Sequence, residues 1–313
     1  MITIFNSTSQ MMRQVIYALT LGIVAAYYFF GWGVIVQIIL AIMSAVATEA
    51  LFLKIRKLPI VPAISDGSAV LTAVLLAISI PSIAPWWMVV VGASFAIIFG
   101  KQLYGGLGHN PFNPAMLGYA FLLISYPLQM TTWAGGFVEL SQALDVIFNL
   151  NTVDALSGAT RLDDIKTQLS LGKSIADLNL HSTAQAWISM GFLLGGMYLL
   201  IRRVIYWHIP TAFLAGIIVT AFLVSLGEGE YLPIQNHLIL GGTILGAFFI
   251  ATDPISACTT PKGRLIYGFL IGVLIVIIRT FGGYPDGIAF AVLLMNITVP
   301  LIDYYTQPKV FGR

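Results

Sequence analysis

The stretch Asp154-Ala-Leu-Ser157-Gly158-Ala159-Thr160-Arg161 sets a hydroxyl among residues with almost no side chain, in the one long polar stretch of a strongly apolar chain. Local physics leaves two readings of Thr160 open. It suits a helix N-cap, with Asp163 three residues on and acidic charge in the first turn to complement the helix dipole. It also suits an ester: Gly158 and Ala159 leave room for a modifying enzyme, and a helix N-terminus favours phosphate. Arg161 and Lys166 are the nearby cations for the charge that a phosphate ester adds.

Further chemistry is expected where ionisable residues interrupt apolar runs, because a charge in lipid is costly unless it is used or paired. Glu49, Asp66, Asp253, Arg279, Asp286 and Asp303 are such places. Glu49 stands out, interrupting "SAVATEALFL", with a paired carboxylate near the inner interface as its plain reading. Three Pro/Gly-bearing breaks, 104–114, 249–263 and 281–287, either end helices in tight turns or line a central site where freed backbone groups meet a ligand. His109, His181, His208 and His237 are scattered over loops and span ends, which argues against a haem. The lone Cys258 forms no internal disulfide and reads as a small buried residue. No Walker loop, zincin pattern or dinucleotide fingerprint is present, so the sequence offers no local motif for ATP, zinc or NAD.

The elements that must position these residues are membrane helices. The chain is 58% hydrophobic and 9% charged, with a mean hydropathy of +0.91. That is an all-α polytopic membrane protein, and its net charge of +2 gives no footing for nucleic acid. Ten spans are expected, at about 15–32, 34–53, 67–83, 85–100, 112–128, 184–201, 210–226, 235–252, 264–280 and 285–304. The N-terminal stretch lacks the marks of a cleaved leader, so the first span is expected to be retained. Arg13, Lys54, Arg56, Lys57, Lys101, Arg202, Arg203, Lys262, Arg264, Lys309 and Arg313 fall on one side, which makes that side cytoplasmic. Both termini are then cytoplasmic and the loop 129–183, with Thr160, faces the periplasm. Trp32, Trp86, Trp87, Trp133 and Trp187 at outer ends and Trp207 at an inner one read as an aromatic belt.

Ten spans with both ends on one side allow two inverted halves of five, 1–128 and 184–313, around the loop. The likeness of 103–127 to 280–300 pairs span five with span ten: each has an aromatic-Gly-Gly turn, a proline-bearing break and an apolar run ending in proline.

The motif ending at Thr160 resembles the flavinylation motif at which a flavin transferase links FMN, through its phosphate, to a threonine. The chain resembles the D subunit of the Rnf electron transport complex, related to the B subunit of the sodium-pumping NADH:quinone oxidoreductase. The likeness runs through "SDGSAVLTAVLLAISIP" (65–81), "FGKQLYGGLGHNPFNPAMLGYAF" (99–121), "FFIATDPISACTTPKGR" (248–264) and "RTFGGYPDGIAFAVLLMN" (279–296). The short stretch before the first span fits the Rnf subunit better than its relative. Asp163 replaces a hydroxyl residue sometimes found in the motif.

The resemblance implies covalent FMN on Thr160, with Asp154, Ser157, Gly158 and Ala159 as the transferase's recognition element and Arg161 beside them. It also implies a non-covalent riboflavin within the membrane part. The expected role is electron transfer between flavins in a bacterial inner-membrane complex of ferredoxin:NAD oxidoreductase type, coupled to Na+ or H+ movement. Its partners would be the A, B, C, E and G subunits, with the iron-sulfur clusters elsewhere. For the flavin cavity the breaks nominate Tyr104, Gly105, Gly106, Asn110, Asn113, Gly282 and Gly283; for ion coupling, Glu49, Asp66 and Asp253 are the candidates. The alternative is a channel or facilitator of inverted-repeat type with no redox role, or a scaffold subunit without a cofactor.

Overall fold

A computed structural model describes residues 8–149, 157–284 and 286–308, so Asp154 lies outside the described residues. The apolar runs fold as helices in chain order. The first run of five is α1 (Thr8–Phe30), α2 (Gly33–Ile55), α3 (Ser68–Ser79), α4 (Trp86–Gly100) and α5 (Pro114–Ser125). The polar segment follows, with β1 (Thr132–Ala134), α6 (Leu140–Asn149), β2 (Ser157–Ala159) and α7 (Arg161–Ser170). Then come α8 (Thr183–Ile201), α9 (His208–Ser225), α10 (Ile234–Ile239), α11 (Pro261–Phe281) and α12 (Ile288–Thr306). This is a multi-pass, essentially all-helical membrane protein.

Among the described residues, seven helices are long and apolar enough to cross a bilayer. Three of the ten expected spans take another form. Helices α3 and α5 are apolar but twelve residues each, about 18 Å at 1.5 Å per residue, short of a hydrocarbon core of about 30 Å. The span expected at 235–252 is interrupted: α10 stops, Gly241 and Gly242 turn the chain at φ 67° and 70°, and one turn Thr243–Leu245 runs into a π-helical turn Gly246–Ile250. Such backbone survives at membrane depth only where protein satisfies it. Arg279 of α11 does so, donating to the carbonyls of His237 (2.8 Å), Leu240 (3.3 Å) and Gly241 (3.2 Å) and to Thr243 Oγ1 (3.0 Å).

Two of the breaks, 104–114 and 249–263, meet in the interior. Asn113 caps α5 by accepting from the Met116 amide at 3.2 Å, and its Nδ2 donates to the carbonyl of Ile250 at 3.1 Å. Its own amide donates to Asn296 Oδ1 at 3.1 Å, while Asn296 Nδ2 donates to the Ser256 carbonyl and the Tyr267 hydroxyl. Two buried amides thus tie α5 and α12 to the irregular segment.

Helix packing follows a shared scheme in the two runs of five. Helix α1 packs on α8, α2 on α4 as α9 on α11, and α4 on α5 as α11 on α12. Small residues allow these close approaches: a Cβ on Gly195 of α8 would stand 2.0 Å from the Ala18 carbonyl oxygen of α1, and one on Gly216 of α9 would stand 2.2 Å from the Phe269 carbonyl oxygen of α11.

The polar segment is divided between the two runs. Around α6, Ala143, Val146 and Ile147 are buried with Ala134, Val138 and Ile83, against Phe30, Val36 and Leu40. Around α7, Leu162 and Ile165 are buried with Leu240, against Leu178, Leu180 and Leu232. Trp32, Trp86, Trp187 and Trp207 are exposed at or near helix ends. Trp133 departs from the expected belt: it sits in β1, turned onto an internal cavity, with Nε1 donating to the Met130 carbonyl at 3.2 Å.

Candidate functional site

Thr160 stands between β2 and α7. Strands β1 and β2 pair antiparallel, setting Thr132 opposite Ala159, Trp133 opposite Gly158 and Ala134 opposite Ser157. Thr160 then caps α7, its Oγ1 accepting from the Asp163 amide at 3.1 Å. The cap reading is therefore seen directly, and it leaves the ester reading open, because the same residue lines a cavity.

Helix α7 is seated on the second run of five. A Cβ on Gly241 would lie 2.3 Å from Leu162 Cδ1, so only glycine there, at φ 67°, leaves room for the Leu162 side chain. Lys166 Nζ donates to the carbonyls of Gly282 and Tyr284, the latter at 2.9 Å. Burial holds Lys166 below the ordinary lysine range and pushes Asp163 above the usual carboxylate range, with Lys166 opposing the latter. Lys166, expected to serve a phosphate, is instead committed to the 282–284 backbone. Arg161 remains: it lines the cavity and pairs with Asp164 at 3.3 Å.

This loop-side cavity lies among the ends of α1, α3, α5, α8 and α12. Phe30, Ile80, Met116, Trp133 and Phe192 form apolar walls, and Thr160, Arg161, Gln185, Tyr119 and Asp286 are among the polar lining. Apolar walls with a few convergent polar groups are the usual lining of a small-molecule pocket.

A second cavity lies at the opposite ends of α1 and α8, where Met12 and Leu199 line it with Ser68, Lys101, Asn110, Asn113 and Asp253. Lys101, expected among the cytoplasmic charges, is only 2% exposed. Its Nζ donates to Glu49 Oε1 (2.5 Å) and Ser68 Oγ (2.6 Å) and lies 3.9 Å from Asp66 Oδ2. Gln102 Nε2 adds a bond to Glu49 Oε1 at 2.8 Å. Asp253 accepts from the amide and hydroxyl of Ser256. Carboxylates far apart in sequence thus surround or line this one region. Glu49 Oε2 and Asn110 Oδ1 are buried without a partner among the described residues.

Of the residues nominated for a flavin cavity, Asn110 and Asn113 line this far-side cavity. Tyr104 and Gly105 are exposed, Gly106 is half-buried, and none of the three lines either cavity. Gly282 serves Lys166, and Gly283 is exposed. Lys101, Tyr119 and Asn296 carry site or fold contacts that their places in the sequence do not announce. Lys101 follows an apolar run directly, the one signal that could have marked it. Among the described residues no group of three His, Cys, Asp or Glu is placed to hold a metal.

Helices of full and half length, breaks that meet at buried amides and a cavity at each end of the bundle define a polytopic membrane protein with internal cavities. The chain belongs to the NQR2, RnfD, RnfE family, whose model matches residues 2–312. It is 50% identical to a protein of Erwinia tasmaniensis over 338 aligned positions, covering 98% of this chain and 95% of that one. Relatives from Cronobacter sakazakii (98% and 96% covered) and Escherichia fergusonii (98% and 95% covered) are also 50% identical. All three are named as the D subunit of an ion-translocating oxidoreductase complex.

Proposed function

We propose that this chain is the membrane flavoprotein subunit of an Rnf-type ion-translocating oxidoreductase complex, with FMN bound covalently at Thr160 and riboflavin held in the far-side cavity. The observation that carries this reading is that Thr160, within its Ser-Gly-Ala-Thr setting, lines an apolar cavity with the cationic Arg161 beside it. A facilitator has no use for an esterifiable hydroxyl at such a place. The names of the relatives, alike over nearly the whole chain, support the same role.

The residues fit the cofactors. At the loop side, Arg161 would meet the phosphate and the Phe30, Trp133 and Phe192 walls the ring, shielding it from water. At the far side, the unpartnered Asn110 Oδ1 would accept from a hydroxyl or imide N–H, while Asn113 has its carbonyl and one N–H committed to the fold. Bound flavin supplies the redox chemistry; the protein orients it and sets the surrounding charge.

The two runs of five are read as inverted halves, with the 129–183 loop periplasmic and both termini cytoplasmic in a bacterial inner membrane. Further subunits (A, B, C, E and G) carry the remaining centres, and a flavin transferase matures Thr160. Glu49, Asp66 and Asp253, gathered about Lys101 and the far-side cavity, are the groups proposed to couple electron flow to Na+ or H+. In-gel flavin fluorescence after denaturation, with a flavin transferase co-expressed, tests the attachment: a bright native band and a dark Thr160→Ala band are expected. A dark native band despite an active transferase overturns it.

A further inference from the structure

Asp286 begins the break-to-helix turn before α12 and lines the same cavity as Thr160. Its Oδ1 accepts from Arg279 Nε (3.2 Å), Arg279 Nη2 (3.0 Å) and the Gly287 amide (2.8 Å). Arg279 itself is needed for the fold, since its other bonds go to the carbonyls freed at Gly241 and its neighbours. The pair leaves one carboxylate oxygen, Oδ2, untouched by the guanidinium. It lies close to the α7 seat, 3.1 Å from where a Cβ on Gly241 would stand, and Leu162 Cδ1 touches that same point.

Tyr119, from α5, also lines this cavity, and its hydroxyl makes no hydrogen bond among the described residues. Buried polar groups are ordinarily partnered. The Arg279 bonds to Asp286 all fall on Oδ1, and the phenol has no hydrogen bond among the described residues, so a ligand offering both a donor and an acceptor would find partners for both in this one apolar chamber. The oxidised flavin has both, in its imide N–H, ring carbonyls and ribityl hydroxyls.

We propose that Asp286 and Tyr119 are the polar contacts of the flavin tethered at Thr160, and that the Asp286 carboxylate, set against Arg279, tunes its reduction potential. The inference rests on the Thr160 reading. Asp286 Oδ2 accepts from the imide N–H or a ribityl hydroxyl, and the Tyr119 hydroxyl donates to a ring carbonyl. Reduction places additional electron density on the ring. In a site of low dielectric a neighbouring carboxylate opposes it, and a neighbouring guanidinium favours it. With both present the two effects offset. With Asp286 neutralised, Arg279 acts alone and the reduced form is stabilised.

The test is an anaerobic spectroelectrochemical titration of the purified complex, in which the difference between native and Thr160→Ala protein isolates the covalent flavin. Asp286→Asn is expected to raise its midpoint potential, Asp286→Glu to stay near the native value, and Tyr119→Phe to shift it by less than Asp286→Asn does. An unchanged midpoint in Asp286→Asn and Tyr119→Phe proteins that still show in-gel fluorescence overturns this inference while leaving the attachment standing. A native band without fluorescence removes both. If Asp286→Asn does not accumulate because Arg279 is left unpaired, Tyr119→Phe decides, since the hydroxyl it loses bonds to nothing in the described protein.

Discussion

Thr160 performs a structural task that its modification would have to respect. An Oγ1 esterified to phosphate keeps oxygen acceptors at the N-terminus of α7, where the helix dipole welcomes negative charge, so the cap and the ester are compatible. Substitution separates them. Thr160→Ala loses both, with about 1 kcal/mol of local stability lost with the cap. Thr160→Asn keeps a capping acceptor and offers no hydroxyl, so its band is expected to be dark in the gel while its melting in detergent matches native protein without flavin. Glu49 makes a second residue-scale case. Breaking a buried pair by removing one charge is destabilising by roughly 3–5 kcal/mol, so Glu49→Gln is expected to melt well below native protein. Glu49→Gln with Lys101→Met is expected to recover much of that loss, because no ammonium is left buried without its carboxylate. Ion transport per electron in the double variant then reports on coupling separately from folding.

Helix α7 is the element that sets where Thr160 points. It has little apolar surface, and three contacts hold it: the Leu162 seat over Gly241, the Ile165 packing, and the Lys166 bonds to the 282–284 turn. Gly241→Val adds strain at a φ of 67° and drives a side chain into Leu162. It is expected to lower flavin incorporation with Thr160 itself unchanged, read as in-gel fluorescence per mole of chain. Lys166→Met is the milder change. It should leave the attachment intact and speed amide hydrogen exchange in α7, because the tether goes while the Leu162 seat stays.

At the scale of the molecule, the arrangement is a helix bundle with one cavity toward the polar segment and one at the opposite end. Exposed side chains such as Tyr17, Leu21, Val24 and Tyr28 give α1 an apolar outer face, suited to lipid or to neighbouring subunits. The orientation proposed from the distribution of lysine and arginine is open to a direct test, because Cys258 is the single cysteine and is buried. In a Cys258→Ala background, Lys173→Cys is expected to react with a membrane-impermeant maleimide from the periplasmic side. Lys57→Cys should react only once the membrane is opened. Both native side chains are exposed, so access to reagent and not burial decides the result.

The apolar runs, the breaks and the polar stretch around Thr160 could be read from the chain because each depends on local composition: about twenty apolar residues cross a bilayer, proline and glycine interrupt helices, and small residues surround a threonine hydroxyl. Spacing in sequence could not show that the 67–83 and 112–128 spans would form twelve-residue helices, nor that the 235–252 span would be broken and rescued by Arg279. Those outcomes depend on which distant groups satisfy the freed backbone. The same limit applies to charge. Lys101 reads locally as a cytoplasmic cation, and only folding brings Glu49, 52 residues away, to within 2.5 Å of it. Lys166 reads as a free partner for phosphate until the 282–284 turn, 116 residues on, claims its protons. Local sequence fixes what each residue can do, and the long-range packing of the bundle decides which partner it meets, because desolvated charges and unpaired carbonyls must be satisfied by whatever the fold brings near.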